Sequence, residues 1–174
     1  IRRGDKEGVD AYVIACFGDP GLLAARELTA APVIGIAEAA FHLATLISTR
    51  FSVVTTLGRT CIIAEHLLQN YGFAHHCRKV RAAEIPVLDL EDDGACALGR
   101  IVDECRRARD EDGIGSIVLG CGGMADLTDE IREAVISAWA TLQNAAAQIE
   151  SATASVALPD LPATAMPCFR ARSS

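Results

Sequence analysis

Short apolar runs alternate with helix-length segments along most of the chain. Each apolar run has the length of a strand, and the longer segments repeat apolar side chains at helical spacing, as Leu98, Ile101, Val102 and Cys105 do. Because strands separated by helices pair side by side, this order predicts an α/β fold with parallel sheets flanked by helices. Strands are predicted over 11–17, 32–36, 50–57, 77–82 and in "SIVLGCGGM" (116–124), and helices over 20–28, 37–47, 59–71, 94–113 and 127–139.

Composition and segment boundaries fit this interpretation. Hydrophobic residues make up 51% of the 174-residue chain and aromatic residues only 5%, which is typical of buried parallel strands packed against helices. The polar residues 48–50 separate two groups of elements, so we expect a partial first α/β lobe over 1–48 and a second lobe over 49–150. Residues 151–174 show no periodicity and several prolines, and we expect an irregular tail there.

Charge and cysteine usage exclude several classes of protein. A net charge of −7 argues against a nucleic-acid partner, which would require a basic surface. No run of about eighteen apolar residues offers a membrane helix, and the first residues do not form a signal peptide. The seven cysteines contain no Cys-x-x-Cys pair, so we expect no zinc site and reduced thiols in the cytoplasm. The chain also lacks an initiator methionine, from which we expect an N-terminally incomplete first lobe.

Two cysteines occupy matching positions in the pattern. Cys16 in "YVIACFG" and Cys121 in "IVLGCGG" each leave an apolar strand and enter a glycine turn. The carboxyl ends of parallel strands lie beside helix N-termini, where free amides and the helix dipole lower the pKa of a thiol. Two such thiols on opposite faces of a ligand suit racemisation or epimerisation, because one removes a proton and the other supplies one. Amides of the glycine turns would stabilise the enolate formed between them.

Other interpretations of these residues remain open at this stage. A strand-end cysteine is often simple core packing. A reversible disulfide between Cys16 and Cys121, and an inactive fragment that only associates with partners, are further alternatives. Asp19 is interpreted as a turn residue that bonds nearby backbone, Glu38 and His42 as an interface pair, and the His-His-Cys segment 75–77 as a solvated turn without metal.

Five stretches of the chain resemble one known family. They are "DAYVIACFGDPGLLAAREL", "PVIGIAEAAFHLA", "FSVVTTLGRT", "YGFAHHCRKVRAAEIPVLDLE" and "IVLGCGGMADL". Together they are similar to the hydantoin/allantoin racemase branch of the aspartate/glutamate racemase superfamily, over about residues 8–133. The resemblance implies two pseudo-symmetric α/β lobes with the site between them. It also implies racemisation of a cyclic ureide, a 5-substituted hydantoin or allantoin, by a homo-oligomer that uses no cofactor and no metal.

The same resemblance assigns roles to individual residues. By position, Cys16 and Cys121 would be the two acid/base residues. Thr55, Gly122 and the turn amides of Phe17 and Gly18 would bind the ring carbonyls and N–H groups, with Thr56 as a neighbour. Amino-acid racemases of the aspartate/glutamate type, the alternative within the superfamily, follow their cysteines with Asn-Thr, whereas this chain has Phe-Gly-Asp-Pro and Gly-Gly-Met. A neutral ring therefore fits this sequence better than a free amino acid.

Overall fold

Helices and strands alternate in the structure as the sequence predicts. The structure, a computed structural model, describes residues 1–92, 94–135 and 140–142. The predicted tail, 151–174, and the end of the predicted helix 127–139 lie outside the described residues. The first elements along the chain are α1 (Arg2–Glu7), β1 (Tyr12–Ile14), α2 (Leu22–Leu28), β2 (Val33–Gly35), α3 (Ile36–Ile47), β3 (Phe51–Thr55) and α4 (Gly58–Asn70). There follow β4 (Cys77–Ala82), α5 (Asp89–Asp92), α6 (Gly94–Glu111), β5 (Ser116–Leu119), a 3-10 helix (Gly122–Leu127), α7 (Thr128–Val135) and β6 (Ala140–Leu142).

The strands form two parallel sheets. β1 pairs with β2, and the second sheet has the order β4-β3-β5-β6. At the carboxyl edge of this larger sheet, Val54 lies opposite Arg81 on one side and Leu119 on the other. This arrangement confirms the predicted α/β class with parallel sheets flanked by helices. One sheet lies before residue 48 in the sequence and the other after residue 50.

Helices cover both faces of the larger sheet. Every residue of β3 and β5 is buried, and successive side chains enter different core clusters because they alternate between the two faces. Val53 and Val118 pack with residues of α3 and α4, in a cluster where Phe41 of α3 stacks on Phe51 of β3 at a centroid distance of 5.7 Å. Val54 packs on the other face, against residues of α6 and α7. The central strands are therefore held from both sides, which fixes the positions of their carboxyl ends.

A buried arginine joins β4 to the end of α6. Arg81 donates to both carboxylate oxygens of Asp112, at 2.6 and 2.8 Å, and to Glu104 and Glu111 at 3.0 and 2.8 Å. Ser52 donates a further hydrogen bond of 2.8 Å to Asp112. The side chains of Arg81 and Asp112 are only 5% and 6% exposed, so each depends on the other for its charge balance.

Several elements differ from the sequence prediction, among them the first strand and α1. The first strand ends at Ile14, although it was predicted to reach residue 17, because residues 16–19 form a turn closed by a 2.9 Å bond from the Asp19 amide to the Cys16 carbonyl oxygen. Helix α1 was not predicted, and it buries no residue. Within the described part of the chain, no helix combines the length and apolar character needed to cross a membrane.

Candidate functional site

The two predicted cysteines occupy equivalent places in the fold. Cys16 lies two residues beyond Ile14, the last residue of β1, and Cys121 lies two residues beyond Leu119, the last residue of β5. Cys16 is exposed and Cys121 is partly buried. A negative charge on Cys16 contributes to raising the pKa of the Cys121 thiol. The structure thus places two residues that are far apart in sequence just beyond the carboxyl ends of two strands, one strand in each sheet.

The pKa of Cys121 contradicts one sequence-based expectation. Burial raises the pKa of this thiol above its ordinary value, and a negative charge on Cys16 raises it further, while a hydrogen bond from the Gly123 backbone lowers it. The predicted lowering at a strand end is therefore wrong for Cys121, because burial outweighs one amide at the start of a 3-10 helix.

The turn that carries Cys16 is anchored to the N-terminus of α3. The Asp19 carboxylate accepts hydrogen bonds from the backbone N–H groups of Ala37 (3.0 Å) and Glu38 (2.9 Å). The Tyr71 hydroxyl donates to the same carboxylate at 3.0 Å. A Cβ atom at Gly35 would lie 2.5 Å from this carboxylate, so the close approach requires glycine there. Asp19 thus bonds backbone 18 and 19 residues away rather than in its own turn.

The Glu84 carboxylate binds the N-terminus of α4 in the way that the Asp19 carboxylate binds that of α3. Glu84 accepts a 3.0 Å hydrogen bond from the Gly58 amide, at the start of α4. Asp19 and Glu84 are the residues other than glycine that have positive φ angles in the described part of the chain, 43° and 55°. Such angles are unfavourable for residues with a Cβ atom, and here both occur where a carboxylate reaches a helix N-terminus.

The amides after Cys16 are available to a ligand. Among the described residues, neither the Phe17 nor the Gly18 N–H donates to a protein acceptor. The Phe17 side chain itself is 7% exposed and packs edge-on against Phe41, at a centroid distance of 5.7 Å. Phe17 can therefore contribute its amide but not its ring to a site at this turn.

Thr55 is the last residue of the central strand β3 and lies beside Gly120, the residue before Cys121, and Thr56 follows it in the chain. Both are 2% exposed, and a Cβ atom at Gly120 would lie 2.9 Å from that of Thr55. The Thr60 hydroxyl donates to the Leu57 carbonyl oxygen at 2.6 Å, so in its 2.9 Å bond to Thr55 it can only accept. The Thr55 proton goes to Thr60 or to the Gly120 carbonyl oxygen, 3.1 Å away. Its lone pairs are consequently free to accept a hydrogen bond.

Two aliphatic residues that the sequence interpretation missed stand beside the cysteine turns. A Cβ atom at Gly18 would lie 4.0 Å from the Cys16 sulfur and 3.7 Å from Ile63. A Cβ atom at Gly123 would lie 3.8 Å from the Cys121 sulfur and 3.1 Å from Leu90. Nothing in the sequence distinguishes Ile63 or Leu90 from other apolar residues, because their position depends on how their helices pack.

Glu38 and His42 do not form the predicted interface pair. Glu38 pairs with Arg26 at 2.5 Å, not with His42, whose ring packs edge-on against Phe73. No group of three or more His, Cys, Asp or Glu side chains suited to a metal ion occurs within the residues that the structure describes.

Comparisons with known proteins point to one family. The family model described as Asp/Glu/Hydantoin racemase matches residues 1–158. A hydantoin racemase of Rhizobium meliloti is 54% identical over 134 residues, which cover 77% of this chain and 56% of that protein. A hydantoin racemase of Pseudomonas sp. (strain NS671) is 45% identical over 133 residues, covering 76% of this chain and 53% of that protein. The chain thus spans about half the length of the curated relatives it matches.

Solved structures agree. An allantoin racemase from Klebsiella pneumoniae is 48% identical and has a TM-score of 0.80, with 99% of this chain and 71% of that chain covered. A glutamate racemase from Bacillus anthracis shares the fold alone, at 18% identity over 88% of this chain and 60% of that chain, with a TM-score of 0.59.

Proposed function

The chain belongs to the Asp/Glu/hydantoin racemase family, and from that premise we propose that it racemises a 5-substituted hydantoin or allantoin by proton transfer between Cys16 and Cys121. The observation that carries the proposal is the placement of two thiols two residues beyond the ends of two parallel strands, each followed within two residues by a glycine. The names of the relatives, hydantoin and allantoin racemases, support a cyclic ureide as the substrate.

The proposed reaction has two proton transfers. One cysteine, as thiolate, removes the proton from C5 of the ring, and the C–H electron pair moves into the adjacent carbonyl group to give a planar enolate. The other cysteine, as thiol, then donates its proton to the opposite face of C5 and becomes the thiolate. The reverse direction exchanges the two roles. This exchange of roles requires two chemically equivalent groups, and two thiols meet that requirement.

Groups around the thiols are suited to a neutral ring with both carbonyl and N–H groups. The Phe17 and Gly18 amides would donate to the oxygen on which negative charge develops, as an oxyanion hole does. Thr55, whose lone pairs are free, would accept from a ring N–H, while Gly122 and Thr56 would line the Cys121 side. In this assignment the turn anchored by Asp19 positions the amides and Cys16 together.

Cellular location and assembly complete the proposal. The six cysteines of the described residues are free thiols, which supports a reducing compartment such as the cytoplasm. A homo-oligomer, which the family resemblance implies, is part of the same proposal. Light scattering after size-exclusion chromatography tests this assembly, and a monomer at micromolar concentration would contradict it.

Cysteine-to-serine substitutions test the chemistry. We expect Cys16→Ser and Cys121→Ser each to reduce racemisation of an optically pure 5-substituted hydantoin by about 10²- to 10⁴-fold, because serine has far too high a pKa to act as the base. Cys96→Ser is the matched control, since Cys96 is exposed and lies on α6. Its activity should equal that of the wild type. Full activity in a folded Cys121→Ser chain would refute the two-thiol mechanism.

A further inference from the structure

An exposed aliphatic side chain lies beside the Cys16 turn. Ile63, on α4, is 47% exposed, and its Cγ2 atom lies 3.7 Å from the Cβ position of Gly18. The Cys16 sulfur lies 4.0 Å from the same position, so thiol and aliphatic side chain face one small space that glycine leaves open. An apolar side chain exposed at this point gains from covering by an apolar ligand group.

The corresponding residue on the Cys121 side has a different environment. Leu90 lies 3.1 Å from the Cβ position of Gly123, yet it is 7% exposed and belongs to the core cluster beneath β3 and β5. Leu90 is therefore fixed by packing, whereas about half of the apolar surface of Ile63 is accessible to a ligand. The two sides of the space between the thiols thus differ in accessible apolar area.

We propose that Ile63 determines how well the C5 substituent of the substrate is accepted, and that it does so for one enantiomer only. The inference rests on the proposed racemase function. At a tetrahedral C5, the hydrogen and the substituent leave opposite faces of the ring. When the hydrogen points to Cys121, the substituent leans toward Cys16 and Ile63. In the other enantiomer the substituent leans away from Ile63, toward Cys121 and Leu90.

Thermodynamics constrains what a change at Ile63 can do. The two enantiomers have equal free energies in water, so kcat/KM is the same in both directions for every variant. A contact made with one bound enantiomer and weakened in the planar enolate stabilises that ground state alone. Its loss therefore raises KM and kcat for that enantiomer by the same factor and leaves the other enantiomer unchanged. A merely structural role would not give this pattern.

The test compares Ile63→Ala with Ile62→Ala in the full chain. Ile62 is the matched control, because it is the neighbouring residue on α4 and is 56% exposed. One residue along an α-helix rotates the side chain by about 100° around the helix axis, so Ile62 lies on a different side of α4. KM and kcat are measured for each enantiomer of 5-isobutylhydantoin and of 5-methylhydantoin. For one enantiomer of the isobutyl compound, Ile63→Ala should raise KM and kcat together by about four- to fifteen-fold, which corresponds to the loss of one or two methylene contacts. The methyl compound and the Ile62→Ala chain should show no change.

A second variant, which adds side-chain volume instead of removing it, separates a specific effect of residue 63 from a loss of folding. Ile63→Phe should raise KM for the isobutyl compound and leave KM for the methyl compound unchanged, because the larger side chain fills the space beside Gly18. Equal changes in KM for both enantiomers, or the same changes in Ile62→Ala, would overturn the assignment of Ile63 while leaving the racemase intact. A wild-type chain that racemises neither compound would overturn the proposed function itself, and this inference with it.

Discussion

Replacing Tyr71 by phenylalanine removes one hydrogen bond from the carboxylate that holds the Cys16 turn. The Tyr71 hydroxyl donates to Asp19 at 3.0 Å, and its ring packs 6.5 Å from the ring of Phe41, which a phenylalanine preserves. Asp19 keeps its bonds from the Ala37 and Glu38 amides. The substitution therefore isolates one donor to a buried carboxylate.

The expected cost follows from the charge and burial of the acceptor. Hydrogen bonds to charged groups contribute about 1.5–3 kcal/mol, and we expect the lower end, about 1.5 kcal/mol, because Tyr71 is only half-buried. Tyr12→Phe is the matched control, since the Tyr12 hydroxyl donates to the exposed Asp5 at 2.8 Å. Solvent replaces that bond, so its loss should lower the free energy of unfolding much less.

The loss of unfolding free energy in Tyr71→Phe should also depend on pH. Burial raises the pKa of Asp19 above its ordinary value of 3.8, although the amides and Tyr71 lower it. The folded chain thus binds this proton more tightly than the unfolded chain, and stability falls as pH rises through the window above 3.8. Without Tyr71 the pKa rises further, so the difference between wild type and variant should grow across that window.

Urea denaturation at several pH values measures these quantities. For Tyr71→Phe, the urea concentration at the unfolding midpoint should fall while the m-value stays constant, and it should fall more at pH 7 than at pH 4. A shift no larger than that of Tyr12→Phe, or one that is the same at both pH values, would refute the role given to Asp19.

Two further predictions concern the larger sheet. Burial raises the pKa of Asp112, but Arg81 and Ser52 outweigh it and hold the pKa below 3.8, so this contribution to stability is present above pH 3.8 and is lost as pH falls further. Asp112→Asn should lower the free energy of unfolding by about 3 kcal/mol at pH 7 and by less in acid. Urea unfolding at both pH values measures this loss, and an equal loss at both would contradict the role of the Asp112 charge. Gly120→Ala should destabilise the chain by about 1–3 kcal/mol, because its Cβ atom would lie 2.9 Å from that of Thr55. Gly99→Ala, in open space on α6, should instead be neutral or stabilising, and thermal melts that rank the two alike would refute this argument.

The sequence predicts the elements of the fold that carry a local hydrophobic pattern. The strand predicted over 77–82 has those bounds in the structure, and the helix predicted over 59–71 begins one residue earlier and ends one residue earlier. By contrast, α1 buries no side chain and so has no apolar periodicity to reveal it. The glycine pair after Cys121 was interpreted as a turn, whereas it begins a 3-10 helix.

The site depends on contacts between distant residues, which limits what the sequence reveals. Asp19 and Glu84 bind helix N-termini 18 and 26 positions away, whereas a capping motif is recognisable only within a few residues. The pKa of Cys121 likewise depends on burial by the assembled fold. The repeated cysteine and glycine pattern, however, is local, and it was sufficient to select Cys16 and Cys121 as candidates.

Deuterium exchange at C5 of an optically pure 5-substituted hydantoin, followed beside its optical rotation in D₂O, tests the central claim most directly. The account predicts loss of rotation with solvent deuterium entering the inverted product, because the thiol that protonates C5 has exchanged with solvent. Each single cysteine variant should exchange the C5 hydrogen of only one enantiomer. Exchange in a folded wild-type chain no faster than the uncatalysed rate, or exchange without inversion, would contradict proton transfer between Cys16 and Cys121.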